Sequence, residues 1–182
     1  MVSGPEISVQ ILTTSNWPNY LSSSIKLPPE VVDCQTAFQK FYGEQARYRG
    51  RELSWVDPLS TCILEAQFPN ALKELDLSGF QACVLLCFNR AQILSFGEIQ
   101  RELQMGMLCL RMCSDYMFID SETLTQTLVS LLNIRLLRTK AKGALTSSDV
   151  FKVNESFAPK LFRVKINPPQ LQETVSICPW LY

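Results

Sequence analysis

Histidine is absent from all 182 residues of the chain. That excludes a Ser-His-Asp triad, a Cys-His pair and any mixed Cys/His zinc site. A surplus of charge is also absent. Lys plus Arg is 17 and Asp plus Glu is 17, so no global field draws the chain toward nucleic acid or anionic lipid. No apolar run reaches the ~18 residues that suggest a membrane span. The opening "MVSGPEISVQIL" has neither a basic region nor an apolar stretch of the kind a secretory leader needs, so none is expected.

What is present is material for a core. Hydrophobic residues make up 47% and aromatics 10% of the chain. That suffices for one large domain or two small intertwined ones. Seven cysteines are an odd number, and most have apolar neighbours, which argues against a disulfide framework. A reducing compartment, cytoplasm or nucleus, is expected. Two CxxxC pairs, Cys83/Cys87 and Cys109/Cys113, could in principle supply four thiolates. In "ACVLLCF", however, cysteine serves as a small hydrophobe, and structural zinc more often uses CxxC on tight turns. Neither metal nor cofactor is expected.

Along the chain, "EISVQIL" alternates and predicts a strand over Ile7–Leu12. "LPPEVVDCQTAFQKFY" predicts a helix entered through proline, with Val31, Cys34, Phe38, Phe41 and Tyr42 on one face. "ELSWV" (Leu53–Trp55), "STCILEAQF" (Cys62–Phe68) and "LKELDL" predict further strands. The last two are joined by a hairpin at Pro69–Asn70.

From residue 78 the period changes. "GFQACVLLCFN" reads as a buried helix, and Ser95 with Glu98 has the spacing of a capping box before "FGEIQREL". "ETLTQTLVSLL" carries Leu124, Leu128, Leu131 and Leu132 on one face, and "IRLLRT" and "DVFKV" then predict a hairpin. Three helices followed by a hairpin is a winged-helix layout, a variant of helix-turn-helix. "KLFRVKIN" alternates again and is expected to return to the first sheet. The expected fold is α+β: a small β-sheet with a crossing helix and an inserted winged-helix unit. The segments are 1–77, 78–155 with an insertion at 105–118, 156–175 for the return, and a tail at 176–182.

Read in order, "ILTTSNWP", "LPPE", "FQKFY", "GRELSW", "FQACVLLCFN", "SFGEIQ", "LVSLL" and "VFKVNESFAPKLFRVKIN" resemble the C-terminal homology region of the cullin family over about residues 6 to 175. "KLFRVKIN" and "QETV" point toward the cullin-three and cullin-four branches. The resemblance implies a scaffold of a ubiquitin ligase with no active site of its own. It implies a sheet that accepts an extended strand of a RING-box protein, in the mode of β-strand addition. The residues expected to face that partner are Ile7, Val9, Ile11, Trp17, Trp55, Ile63, Phe162, Val164 and Ile166. The rest of a cullin scaffold is a further expected partner. Against the family pattern, the adaptor-binding repeats and the "IVRIMK"-like modification motif are missing, and "MGMLCLRMCSDYMF" (105–118) has no counterpart. The insertion is expected to extend the second helix.

A different class of function comes from charge. Eight Lys/Arg lie in 135–165 (Arg135, Arg138, Lys140, Lys142, Lys152, Lys160, Arg163, Lys165), the footprint of a winged helix that binds nucleic acid. Opposing it, the presumed recognition helix "DSETLTQTLVSLL" has no basic residue and begins acidic. Glu65 with Glu74 and Asp76 is the nearest thing to a paired-carboxylate site, and it reads as a solvated strand face. No enzyme activity is expected.

Overall fold

The structure, a computed structural model, describes residues 6–13, 26–104, 121–141 and 143–168. Its elements are α1 (Pro29–Glu44), β1 (Thr61–Gln67), β2 (Leu72–Ser78), α2 (Gly79–Cys87), β3 (Ile93–Ser95), α3 (Phe96–Gln104), α4 (Ser121–Asn133), β4 (Leu137–Thr139), β5 (Val150–Val153) and β6 (Arg163–Lys165). They form two three-stranded sheets, ordered β1-β2-β6 and β3-β5-β4. The fold is α+β.

Helix α1 starts where proline costs nothing, at a first turn whose N–H groups have no intrahelical acceptor, and Glu30 complements the dipole there. Its aromatic face packs locally. Tyr42 stacks on Tyr48 with ring centroids 4.3 Å apart, and Phe38 meets the edge of Trp55 at 6.0 Å. No α1 side chain belongs to the main core cluster, and the helix lying against β1 and β2 is α2.

β1 and β2 form the expected hairpin. Phe68 N–H closes its turn on the Ala71 carbonyl at 3.0 Å, around Pro69–Asn70. β6 returns from far along the chain to pair with β2 in parallel, Leu75 opposite Val164. Lys73 fixes the approach to β6: its ammonium donates to the carbonyls of Pro159 and Leu161, both at 3.0 Å.

β2 runs directly into α2 through Ser78, whose hydroxyl accepts from Gln81 N–H while the Gln81 side chain accepts from Ser78 N–H, a full capping box. A glycine follows because the chain passes close to Ser60. Gly79 N–H donates to the Ser60 carbonyl at 2.8 Å, and a Cβ on Gly79 would collide with the Ser60 hydroxyl.

α2, α3 and α4 then pack with the second sheet in the order expected of a winged helix. Leu124, Leu128 and Leu131 of α4, Ile99 of α3 and Phe151 of β5 are all essentially inaccessible. The Ser95–Glu98 box at the head of α3 forms as its spacing predicts. β3, three residues between α2 and α3, is an addition to the sequence reading. It pairs with β5 through Ile93↔Lys152 and Ser95↔Val150.

Two predicted strands are corrected. Ile7–Leu12 has no regular secondary structure and pairs with no strand among the described residues, and Ile7, Ile11 and Leu12 are exposed. Alternation supplies β-propensity, but a strand also needs a neighbour's hydrogen bonds. Leu53–Trp55 is likewise not a strand. Trp55 is drawn into the aromatic cluster on Phe38, and the chain goes on into a 3₁₀ turn at Asp57–Leu59 that includes Pro58. The insertion 105–118 and the tail 176–182 lie outside the described residues.

Candidate functional site: a sheet edge and its outer face

The first sheet has two distinct faces because side chains alternate along each strand. Cys62, Leu64, Leu75, Leu77, Val164 and Ile166 turn toward the core. The outer face carries Ile63, Glu65, Glu74, Asp76, Arg163 and Lys165, set side by side by the registers Ile63↔Asp76, Glu65↔Glu74, Glu74↔Arg163 and Asp76↔Lys165. Glu65 opposite Glu74 is a repulsive cross-strand pair. The basic residues of β6 offset it from the other side, and Arg163 reaches Asp76 at 3.3 Å. These carboxylates form a charged strand face, as the sequence suggested.

The edge of β1 away from β2 has no strand against it among the described residues, over the seven residues Thr61–Gln67. An edge of this kind presents a row of N–H and C=O groups without strand partners. Ile63, 52% exposed, stands on this strand.

The structure sorts the nine residues expected to face a partner into groups. Ile7 and Ile11 are exposed and Val9 half-buried, on a segment that joins no sheet among the described residues. Ile63 is on β1, and Phe162, 54% exposed, is just before β6, where its carbonyl accepts from Glu74 N–H at 3.1 Å. Val164 turns inward and Ile166, 2% exposed, is in the core, so both shape the sheet from beneath. Trp55 is half-buried on the α1 cluster, and its indole N–H is buried with no hydrogen-bond acceptor among the described residues. Trp17 lies outside the described residues.

The chemistry of the cysteines follows from burial. Desolvation pushes the Cys83 thiol up to about 12, with Cys87, Cys62 and Asp57 adding to the shift. Burial and Glu102 raise Cys87 to about 11. A thiol held protonated is a poor nucleophile at neutral pH. The Cys87 thiol instead donates to the Cys83 carbonyl at 3.3 Å.

Two structural residues escaped the sequence reading. Gln81, 0% exposed, ties α2 to α4 and to the chain beyond β6. Lys73 clamps residues 159–161. For Gln81 a signal existed: Ser78-x-x-Gln81 has the S-x-x-Q spacing of a capping box. For Lys73 there was none, since its acceptors are backbone carbonyls 86 and 88 residues away.

The chain is thus an α+β protein in which a small open-edged sheet and a three-helix unit share one core. Residues 11–157 match the family described as the cullin alpha+beta domain, and the chain belongs to the cullin family. It is 38% identical to cullin-4A of Mus musculus over 176 residues, 94% of this chain and 21% of that protein. It is 38% identical to cullin-4 of Schizosaccharomyces pombe over 174 residues, 92% of this chain and 22% of that protein. To the putative cullin-like protein 1 of Arabidopsis thaliana it is 32% identical over 173 residues, 93% of this chain and 22% of that protein. The chain spans about a fifth of the length of these curated relatives.

Proposed function

We propose that this chain is the part of a cullin-type ubiquitin-ligase scaffold that holds a RING-box protein, and that it does so by accepting an extended strand of that protein on the β1-β2-β6 sheet. It carries no catalysis itself; the chemistry belongs to the enzymes its partner recruits. The observation that carries this reading is the edge of β1, seven residues long and unpaired among the described residues, in a sheet that has three strands there. β6, at the other edge, is three residues long and offers a much shorter ladder. Strand addition draws its affinity from main-chain hydrogen bonds and its register from side-chain contacts, for which exposed Ile63 is suited. The segment with Ile7, Val9 and Ile11, unpaired among the described residues, is a second stretch that a partner strand can engage. The free cysteines suit the cytoplasm or the nucleus, where we locate the chain.

The test is thermal unfolding of the chain alone and with saturating RING-box protein. A partner that binds only the folded state raises the midpoint by mass action. Ile63→Lys, which places a charge on the accepting edge, should abolish most of that rise while leaving the free chain's midpoint nearly unchanged. A folded chain whose midpoint does not move with partner contradicts the proposal.

A further inference from the structure

The outer face of the second sheet carries a like-charge pair that, unlike the one in the first sheet, no neighbouring strand offsets. Arg138 on β4 and Lys152 on β5 lie directly opposite each other in the antiparallel register, and both are exposed. Directly opposed like charges destabilise a strand pair. In the first sheet the comparable Glu65–Glu74 pair is offset by Arg163, the partner of Glu74 on β6. Here the third strand offers no compensation. The residue beside Lys152 on β3 is Ile93, 60% exposed. Among the described residues the ion pairs are Arg90–Glu102 and Arg163–Asp76, and neither involves this face. Val150, one side-chain repeat before Lys152 on the same face of β5, is also exposed. The result is two adjacent cations flanked by two exposed aliphatic side chains on a rigid sheet.

We infer that this face, Ile93, Val150, Lys152 and Arg138, is a docking surface for an acidic protein segment that carries aliphatic residues, with one carboxylate seated between Arg138 and Lys152. Charge complementarity identifies the occupant. A carboxylate between the two cations neutralises a repulsion the free protein otherwise bears, and Ile93 and Val150 give apolar neighbours of that carboxylate a surface to cover. Nucleic acid fits less well. Aliphatic side chains break up the basic strip, and α4 begins with Ser121 and Glu122 and has no Lys or Arg. The surface is distinct from the β1 edge, so binding here and RING-box binding are separable.

The experiment uses the full chain and a fluorescein-labelled peptide of alternating Glu and Leu, with a Lys/Leu peptide and a random 20-base-pair duplex as the other arms. The Glu/Leu peptide should bind saturably, weaken with added salt, and bind at least tenfold more weakly to Arg138→Glu and to Ile93→Ser. Lys152→Glu supplies an independent readout. It should lose peptide binding yet raise the thermal midpoint of the free chain, because it converts a repulsive cross-strand pair into an attractive one. No saturable Glu/Leu binding, equal binding by the variants, tighter binding of the duplex, or a lowered midpoint in Lys152→Glu would overturn the inference.

Discussion

Gln81 donates from Nε2 to the backbone carbonyl of Asn167 at 2.9 Å, across 86 positions of sequence. The same amide nitrogen donates to Ser130 Oγ at 2.9 Å, and its oxygen accepts from Ser78 N–H at 2.9 Å. One fully buried side chain therefore joins the end of β2, the start of α2, the middle of α4 and the chain leaving β6. Replacing it with leucine leaves three polar groups without that partner. Gln81→Leu should cost about 1–3 kcal/mol in urea unfolding, chiefly for the buried Ser78 N–H left unsatisfied, since Ser130 and Asn167 reach solvent. Amide exchange of Val164–Ile166 should accelerate more than that of α3, because the return strand loses its anchor.

Asn154 and Arg135 form a second local device. Arg135 sits at φ 60°, in the left-handed region, where α4 gives way to β4. Asn154 Nδ2 holds its carbonyl at 2.7 Å. Arg135→Gly should stabilise the chain by about 0.5–1 kcal/mol, as the αL strain is relieved and glycine's added unfolded-state freedom takes back a part. Asn154→Ala should destabilise it by about 1–3 kcal/mol. Both changes are read from denaturant midpoints.

Gly79→Ala should destabilise the junction of β2 and α2 despite alanine's better helix propensity. The added methyl meets Ser60, whose hydroxyl donates to the Asp57 carbonyl at 2.6 Å and whose own carbonyl accepts from Gly79 N–H. Ser60→Gly in the same chain should recover part of the loss, a coupling measurable as a double-mutant cycle.

The buried thiols give a pH dependence. Cys83 and Cys87 are raised from 9.0 to about 12 and about 11, burial being the larger cause in each. Above pH 9 the unfolded chain loses these protons while the folded chain keeps them, so the unfolded state is favoured. Stability should be flat with respect to these groups below pH 9 and fall as pH rises toward 11–12. Each thiol contributes a slope of up to about 1.4 kcal/mol per pH unit. Cys83→Ala should flatten part of that slope in thermal melts from pH 8 to 11, at the cost of a small cavity.

Local and periodic signals were legible in the sequence. The β1–β2 hairpin, the Ser95–Glu98 cap, the leucine face of α4 and the alternation of β6 each follow from spacing within a few residues. What was illegible depended on partners distant in sequence. "EISVQIL" and "ELSWV" have strand-like composition, yet one finds no neighbour among the described residues and the other is diverted when Trp55 packs on Phe38. β3 is only three residues long and exists because Phe151 and its neighbours on β5 lie beside it. Of the expected partner-facing residues, Ile63 and Phe162 are exposed, whereas Val164 and Ile166 face the core. Alternation identifies two faces of a strand but cannot say which one is covered.

Hydrogen exchange along Thr61–Gln67, with and without RING-box protein, tests the central claim most directly. Strand addition at the open edge predicts strong new protection at alternate amides of β1, those directed away from β2, and little change in α3 and α4. A complex that forms while the β1 amides exchange at their free rate would contradict it.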